Sequence, residues 1–197
     1  MHYVITISRQ FGSGGKEIGK KVAEILNIPC YDKTVNEFTA VKTGFSKQTI
    51  ENAEDKTPGA FTYGMFSYVK LQPMHDEIFF AQSEVIRNLA AKGPCVLVGR
   101  CADSVLSDRK NVLNVFVFAP IEDRVKRVMS RHNVSQEEAG RIIKANDRMR
   151  KRYHDHYSDR RWGEAKNYHL TINSTVGVEN AANTIAKLVE GLAKKDE

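Results

Sequence analysis

The sequence is short of most features that would take it out of an ordinary globular class. It has three cysteines, Cys30, Cys95 and Cys101, an odd number without metal-type spacing. That argues against a disulfide framework or a zinc site and predicts reduced thiols in a cytoplasmic protein. No apolar run approaches the roughly 20 residues of a membrane helix, so no membrane association is expected. Met1 leads straight into apolar chain, with no basic segment ahead of a hydrophobic one, and no secretory leader is expected. The six histidines show no H-E-x-x-H or other ligand spacing. No metal ligands are assigned, and His154 and His156 are expected at the surface. Internal repeats, low-complexity linkers and the signatures of RNP, zinc-finger or helix-turn-helix modules are also missing.

What is present suits one α/β domain. With 41% hydrophobic and 27% charged residues, the 197-residue chain can bury an ordinary core. The net charge of +6 would suit nucleotides, nucleic acid or an anionic surface, so its distribution matters more than its size. Arg124, Lys126, Arg127 and Arg131, then Arg141, Lys144, Arg148, Arg150, Lys151, Arg152, Arg160 and Arg161 crowd one C-terminal segment. Between residues 141 and 154 the sole carboxylate is Asp147, with Asp155 just beyond. Beside a phosphate loop, such a cluster reads more economically as a clamp on polyphosphate than as a nucleic-acid surface.

That loop lies in YVITISRQFGSGGKEIGKKVAEIL, residues 3–26. A β-branched run, Tyr3 to Ile7, feeds Gly12, Ser13, Gly14 and Gly15. A helix-period pattern follows, with Ile18, Val22, Ile25 and Leu26 on one face. Glycines let successive N–H groups point into one concavity, and the helix start adds the positive end of its dipole, so the junction suits phosphate. A glycine-rich turn without a ligand is the plainer alternative. Against G-x-x-x-x-G-K-[ST], Arg9 stands at the first glycine, Gly15 at the lysine and Lys16 at the hydroxyl residue. One residue at a helix start rotates a side chain by roughly 100°, so Lys16 need not replace the lysine, and Arg9 is the other candidate for that charge.

Downstream, Asn27 to Pro29 ends the first helix, and Cys30-Tyr31 starts a short extended piece ending at Asp32. Residues 33–92 read as mostly helical, interrupted by Pro58-Gly59, Gly64 and the aromatics Phe61, Tyr63, Phe66 and Tyr68. These aromatics predict either a substrate-binding flap or packing against the core or a second copy, so a homodimer is one expectation. His75 to Ala91 has the pattern of a long helix. Cys95 to Val98 is a strand buried on both faces. Its continuation, Gly99-Arg100-Cys101-Ala102-Asp103, is placed where ligands bind in parallel sheets. Arg100 is therefore a candidate substrate contact, and Asp103 is either a second or an N-cap.

Val112 to Ala119 is a further strand. The helix from Pro120 to Arg131 carries Arg124, Arg127 and Arg131 on one face, with Glu122 and Asp123 as dipole complements. Ser135 to Glu138 is a capping box for the next helix, and two arginine-bearing helices joined by a turn suggest a lid. Tyr168 to Asn173 alternates as the last strand, and Glu179 to Leu192 is an amphipathic closing helix. The expected fold is a three-layer α/β/α domain around a parallel five-stranded sheet. The whole chain, 1–197, is expected to form one domain, with a core of 1–32, 93–125 and 167–197, an insertion at about 33–92 that would bind an acceptor, and a lid at about 126–166.

The segments ITISRQFGSGGKEIGKKVAEIL-NIPCYDK, VLVGRCAD, FVFAPIEDRVKRVM and DRMRKRYHDHYSDRRWG ahead of NYHLTIN resemble the cytidylate kinase-like family, relatives of the bacterial cytidylate kinases among P-loop nucleoside monophosphate kinases. The resemblance runs from Val4 to about Leu192. It implies ATP-dependent transfer of a γ-phosphoryl, with Mg²⁺, to a nucleoside monophosphate such as CMP or a related small acceptor. It also implies a helical acceptor-binding flap and an arginine-rich lid. Gly12, Ser13, Gly14, Gly15, Lys16, Glu17 and Arg124 would hold ATP. Asp32, Arg100 and Asp103 would face the acceptor, with Asp32 or Asp103 orienting water on Mg²⁺. Lys16, Arg9, Arg127, Arg131, Arg148 and Arg150 would neutralise transition-state charge.

The chain departs from cytidylate kinases at Gly15 and Glu17, where they carry lysine and a hydroxyl residue, and at YDKT in place of an LDTG-type acceptor motif. The acceptor is thus left open. A nucleotide-binding regulatory protein that has lost transfer is the second reading, and a basic nucleic-acid-binding or partner-binding module the third.

Overall fold

The computed structural model describes residues 3–55 and 65–194. Phe61, Tyr63, Pro58, Gly59 and Gly64 of the expected flap lie outside the described residues, as do the side chains of Phe66 and Tyr68.

The centre of the sheet is β1 (Val4–Arg9), buried up to its last residue. It pairs in parallel with β3 (Cys95–Val98) on one side and β4 (Val112–Phe118) on the other. The short β2 (Cys30–Tyr31) and β5 (Leu170–Asn173) complete a parallel sheet in the order β2-β3-β1-β4-β5. In this register Ile7 lies opposite Val98, Arg9 opposite Val117 and Tyr31 opposite Leu97. Arg9, Gly99-Arg100 and Asp32 therefore leave the sheet along the same edge.

Alternation along β1 divides the core into two layers. Ile5 and Ile7 pack with Ile18 and Val22 of α1 (Gly15–Leu26) and with Ile185 and Val189 of α8 (Val178–Ala193). Val4 belongs to the opposite layer, with Ile86 and Leu89 of α4 (Met65–Lys92) and Val105 of the short α5 (Ala102–Val105). The expected three-layer sandwich is thus the observed one. The insertion adds α2 (Lys33–Thr43) and α3 (Lys47–Asp55), whose Ile50 and Ala53 pack on Ile78 of α4. α6 (Ile121–His132) and α7 (Gln136–Tyr157) pack through Val128, Ala139 and Ile143, with Phe11 against them. Ser135 caps α7 as expected, accepting the Glu138 N–H at 3.2 Å.

Two local expectations are corrected. The helix period puts Ile25 on one face with Ile18, Val22 and Leu26, but Ile25 is 38% exposed. The buried face is centred on Gly15, Ile18, Gly19, Val22 and Ala23, and at roughly 100° per residue Ile25 sits at its margin. His154 was expected at the surface but is 3% exposed. Its Nε2 lies 2.9 Å from the Asp103 carboxylate, a partner 51 positions away that no local pattern reveals. Among the described residues no helix is long and apolar enough to cross a membrane. The three cysteines are free, and burial pushes the Cys95 thiol up to about 11.

Candidate active site

The chain leaving β1 is held in a tight loop by its own polar groups. The Gln10 N–H donates to the Val117 carbonyl at 3.0 Å, and the Gln10 side-chain oxygen accepts the Ala119 N–H at 3.2 Å. The N–H and hydroxyl of Ser13 both donate to the Gln10 carbonyl, at 3.3 and 2.9 Å. Gly12 and Gly14 have φ of +75° and +80°, left-handed conformations that a side chain would strain. A Cβ on Gly12 would also lie 3.1 Å from both the Arg124 carbonyl and the Val128 side chain.

Gly14 is the N-cap of α1, and no side chain caps it. The Ile18 N–H reaches the Gly14 carbonyl at 3.0 Å, which leaves the amides of Gly15, Lys16 and Glu17 with no acceptor inside the helix. Free amides, left-handed glycines and a helix dipole converge on one concavity, an arrangement suited to phosphate oxygens.

Asp32 is the electrostatic hub beside this loop. Its carboxylate lies 2.7 Å from Lys16 Nζ, 3.1 Å from Arg100 Nη1 and 4.0 Å from Arg9 Nη2. Burial is the largest single influence and pushes the Asp32 carboxyl up. The Lys16 hydrogen bond and the charges of Arg100, Arg9 and Lys16 together outweigh it, so the net shift is below the ordinary carboxylate value. Asp32 stands at the N-cap position of α2 yet makes no cap hydrogen bond, because its oxygens face the cations. Arg100 is aimed at it by three successive left-handed residues, Gly99, Arg100 and Cys101, with φ of +79°, +55° and +51°. Two of these carry side chains, so the turn stores strain of about 1 kcal/mol or more at each.

The other candidates divide clearly. Glu17 turns away from the loop and pairs with Arg131. Arg124 is 8% exposed and binds Asp147 and the Phe11 carbonyl, so it lies beneath the loop. Arg127 donates to the Gly12 carbonyl and to Ser174 Oγ, both at 3.2 Å. Arg150 donates to the Arg9 carbonyl at 3.0 Å and stacks over the Phe11 ring at 5.2 Å. Arg148 is exposed and makes no hydrogen bond or ion pair among the described residues. Asp103 is 1% exposed and accepts from Ser8 and His154, so its carboxylate is not brought to the surface of the crevice.

Asp147 is the residue that sequence reasoning undervalued. Its two oxygens accept the Phe11 N–H at 2.7 Å and bind Arg124. The available signal was its isolation, as the one acid in a long basic run. As for Mg²⁺, Asp32, Glu17 and Asp147 each already hold a cation, and among the described residues no three His, Cys, Asp or Glu side chains cluster. These residues do not fit a protein-held metal without breaking an ion pair.

The model of the cytidylate kinase-like family matches residues 4–176. No curated protein matches the chain. The crystal structure of an uncharacterized protein from Eubacterium ventriosum ATCC 27560 is 32% identical, with a TM-score of 0.72 over 95% of this chain and 98% of that one. Shikimate kinase from Bacteroides thetaiotaomicron is 13% identical with a TM-score of 0.57, covering 96% of this chain and 99% of that one. A gluconokinase from Sinorhizobium meliloti 1021 is 12% identical with a TM-score of 0.54, covering 99% and 98%. The last two show the fold alone, an α/β sandwich shared with small-molecule kinases. With the loop, the sheet order and the family match in agreement, the chain belongs to the cytidylate kinase-like family.

Proposed function

We propose that the protein is an ATP-dependent phosphotransferase acting on a nucleoside monophosphate or a related small acceptor. The observation that carries this reading is the juxtaposition of two halves on one sheet edge. One half is the uncapped N-terminus of α1 behind Gly12 to Gly15, and the other is Asp32 paired with Arg100 at the ends of β2 and β3. Bound ATP supplies the γ-phosphoryl group. The amides of Gly15, Lys16 and Glu17 receive phosphate oxygens, Lys16, Arg9 and Arg100 neutralise charge, and Arg124, Arg127 and Arg150 keep the loop in shape. Catalysis of this kind needs positioning and charge more than covalent chemistry by the protein. The free nucleotide would bring Mg²⁺ on its own phosphate oxygens.

The test is to incubate the protein with ATP, Mg²⁺ and a panel of nucleoside monophosphates, nucleosides, sugar acids and small alcohols, following both ADP release and acceptor phosphorylation. Acceptor-dependent turnover, lost in Arg100→Ala, is the expected result. Tight ATP binding with no transfer to any acceptor would favour the second reading, a nucleotide-binding regulatory protein. Gly15 at the lysine position is the observation behind that reading. The remaining proposals, cytoplasmic location and a homodimer, rest on the cysteines and on aromatics outside the described residues.

A further inference from the structure

A second basic concavity lies at the opposite end of the sheet from the crevice. It is a cavity of about 310 Å³ between the turn that follows α5, the start of β4 and the chain entering β5. Val112 of its lining lies opposite Val4, the first residue of β1, whereas Arg9 and Arg100 leave from the last residues of β1 and β3. At roughly 3.3 Å per residue along β4 the two places are about 20 Å apart. We propose that this cavity is a separate binding site for a small organic phosphate, independent of the phosphate loop and of the acceptor position beside it.

Charge reaches the cavity from two segments of chain. Arg109 and Lys110 come from the turn before β4, and Arg160 and Lys166 from the stretch between α7 and β5. No aspartate or glutamate is among the lining residues. Lys166 pairs with Glu164 at 3.1 Å, but among the described residues the side chains of Arg109, Lys110 and Arg160 make no ion pair. The acids beside them in sequence are turned elsewhere, since Asp108 pairs with Arg87 at 2.9 Å and Asp159 is exposed without bonding Arg160. Three positive charges around one concavity repel one another, and a bound oxyanion relieves that repulsion.

Neutral donors complete the lining. His169 Nδ1 accepts the Asn114 N–H at 3.0 Å, which keeps the imidazole proton on Nε2 as a donor. Asn114 is 5% exposed and its Oδ1 accepts the Thr6 hydroxyl at 2.7 Å, so its NH2 is the end left for a ligand. Arg109 Nε is buried with no hydrogen-bond partner, an unmade bond that an oxyanion satisfies once the guanidinium turns onto it. Such a set of donors suits phosphate oxygens and offers no carboxylate to a cationic group. The volume is at the lower end of the range for small-molecule sites, about 300–1,000 Å³, and admits one phosphorylated metabolite. A nucleic acid would need a track of cations along the surface instead of a single concavity.

NMR titration of isotope-labelled protein with inorganic pyrophosphate and with glycerol phosphate tests the proposal, at ionic strength held constant with potassium chloride. Citrate and a single-stranded oligonucleotide are titrated for comparison. Saturable shifts of the amide signals of residues 107–114 and 166–169 are expected, with pyrophosphate affinity about tenfold weaker in Arg109→Gln and in Arg160→Gln. Lys110→Gln, at an exposed residue, repeats the test where the fold is not at stake. Signals of residues 12–17 report pyrophosphate held at the phosphate loop, and their titration is expected to be unchanged in all three variants. Shifts confined to residues 12–17, shifts that potassium chloride alone reproduces, or unchanged affinity in all three variants would overturn the proposal. So would tighter binding of citrate or of the oligonucleotide at the same signals.

Discussion

Asp32 shows how one residue can set the character of the site. Its folded carboxyl titrates below the ordinary value, so its contribution to stability is present above about pH 4, the unfolded value, and is lost as pH falls through the lowered folded one. Asp32→Asn removes the carboxylate that Lys16, Arg100 and Arg9 share, and we expect a loss of about 3 kcal/mol near neutral pH. Urea denaturation at about pH 7 and about pH 3 checks this, since the wild type and the variant should converge in acid. Asp32 was legible as a strand-end acid, and its distant partners Arg9 and Arg100 were legible as candidates. That all three cations meet on this one carboxylate was not, because the pairing depends on strand register. At Gly12, where φ is +75° and a Cβ would press on Arg124 and Val128, Gly12→Ala should cost about 1–3 kcal/mol in thermal unfolding.

Among the elements, α7 is the one expected to form half of a lid. Its middle is tied to the loop through Asp147 and Arg150, and its last turns are tied to α4. Tyr153 donates to Gln82 at 2.7 Å, and Tyr157 donates to Asp76 at 3.0 Å while stacking on Phe79 at 3.9 Å. Asp147→Ala would free the Phe11 amide and leave the buried Arg124 without a counter-charge. The expected losses are about 3 kcal/mol in stability and a measurable fraction of ATP affinity. Ser135→Ala removes only the cap and should cost about 1 kcal/mol with ATP affinity unchanged. Comparing the two by denaturation and calorimetry separates bracing of the loop from mere helix stability. The strands and helices themselves were readable because apolar runs and caps are local signals. The destinations of Arg124, Arg127, Arg131 and Arg150 were not, since each is decided by a partner more than 20 positions away or by a backbone carbonyl.

Across the whole molecule, one buried polar chain joins the layers. Ser8 of β1 donates to Asp103 at the start of α5, and His154 of α7 meets the other oxygen of that carboxylate. Near-complete burial makes this junction costly to break, and His154→Ala, which leaves Asp103 buried without its imidazole, should cost about 3 kcal/mol in equilibrium unfolding. The sheet order and the three layers could be anticipated from the alternation of strand and helix patterns. This cross-layer junction could not, because an isolated histidine in a charged helix looks like a surface residue.

The missing side chain at Gly15 also bears on how such a loop changes over generations. Acquiring a lysine there while Arg9 remains forces a second side chain into occupied space, and losing Arg9 first removes a cation before its replacement exists. A Cβ at Gly15 would lie 2.6 Å from Arg9 Cβ. The two positions are therefore expected to be coupled, so that Gly15→Lys costs more stability beside Arg9 than in a chain that lacks the Arg9 side chain.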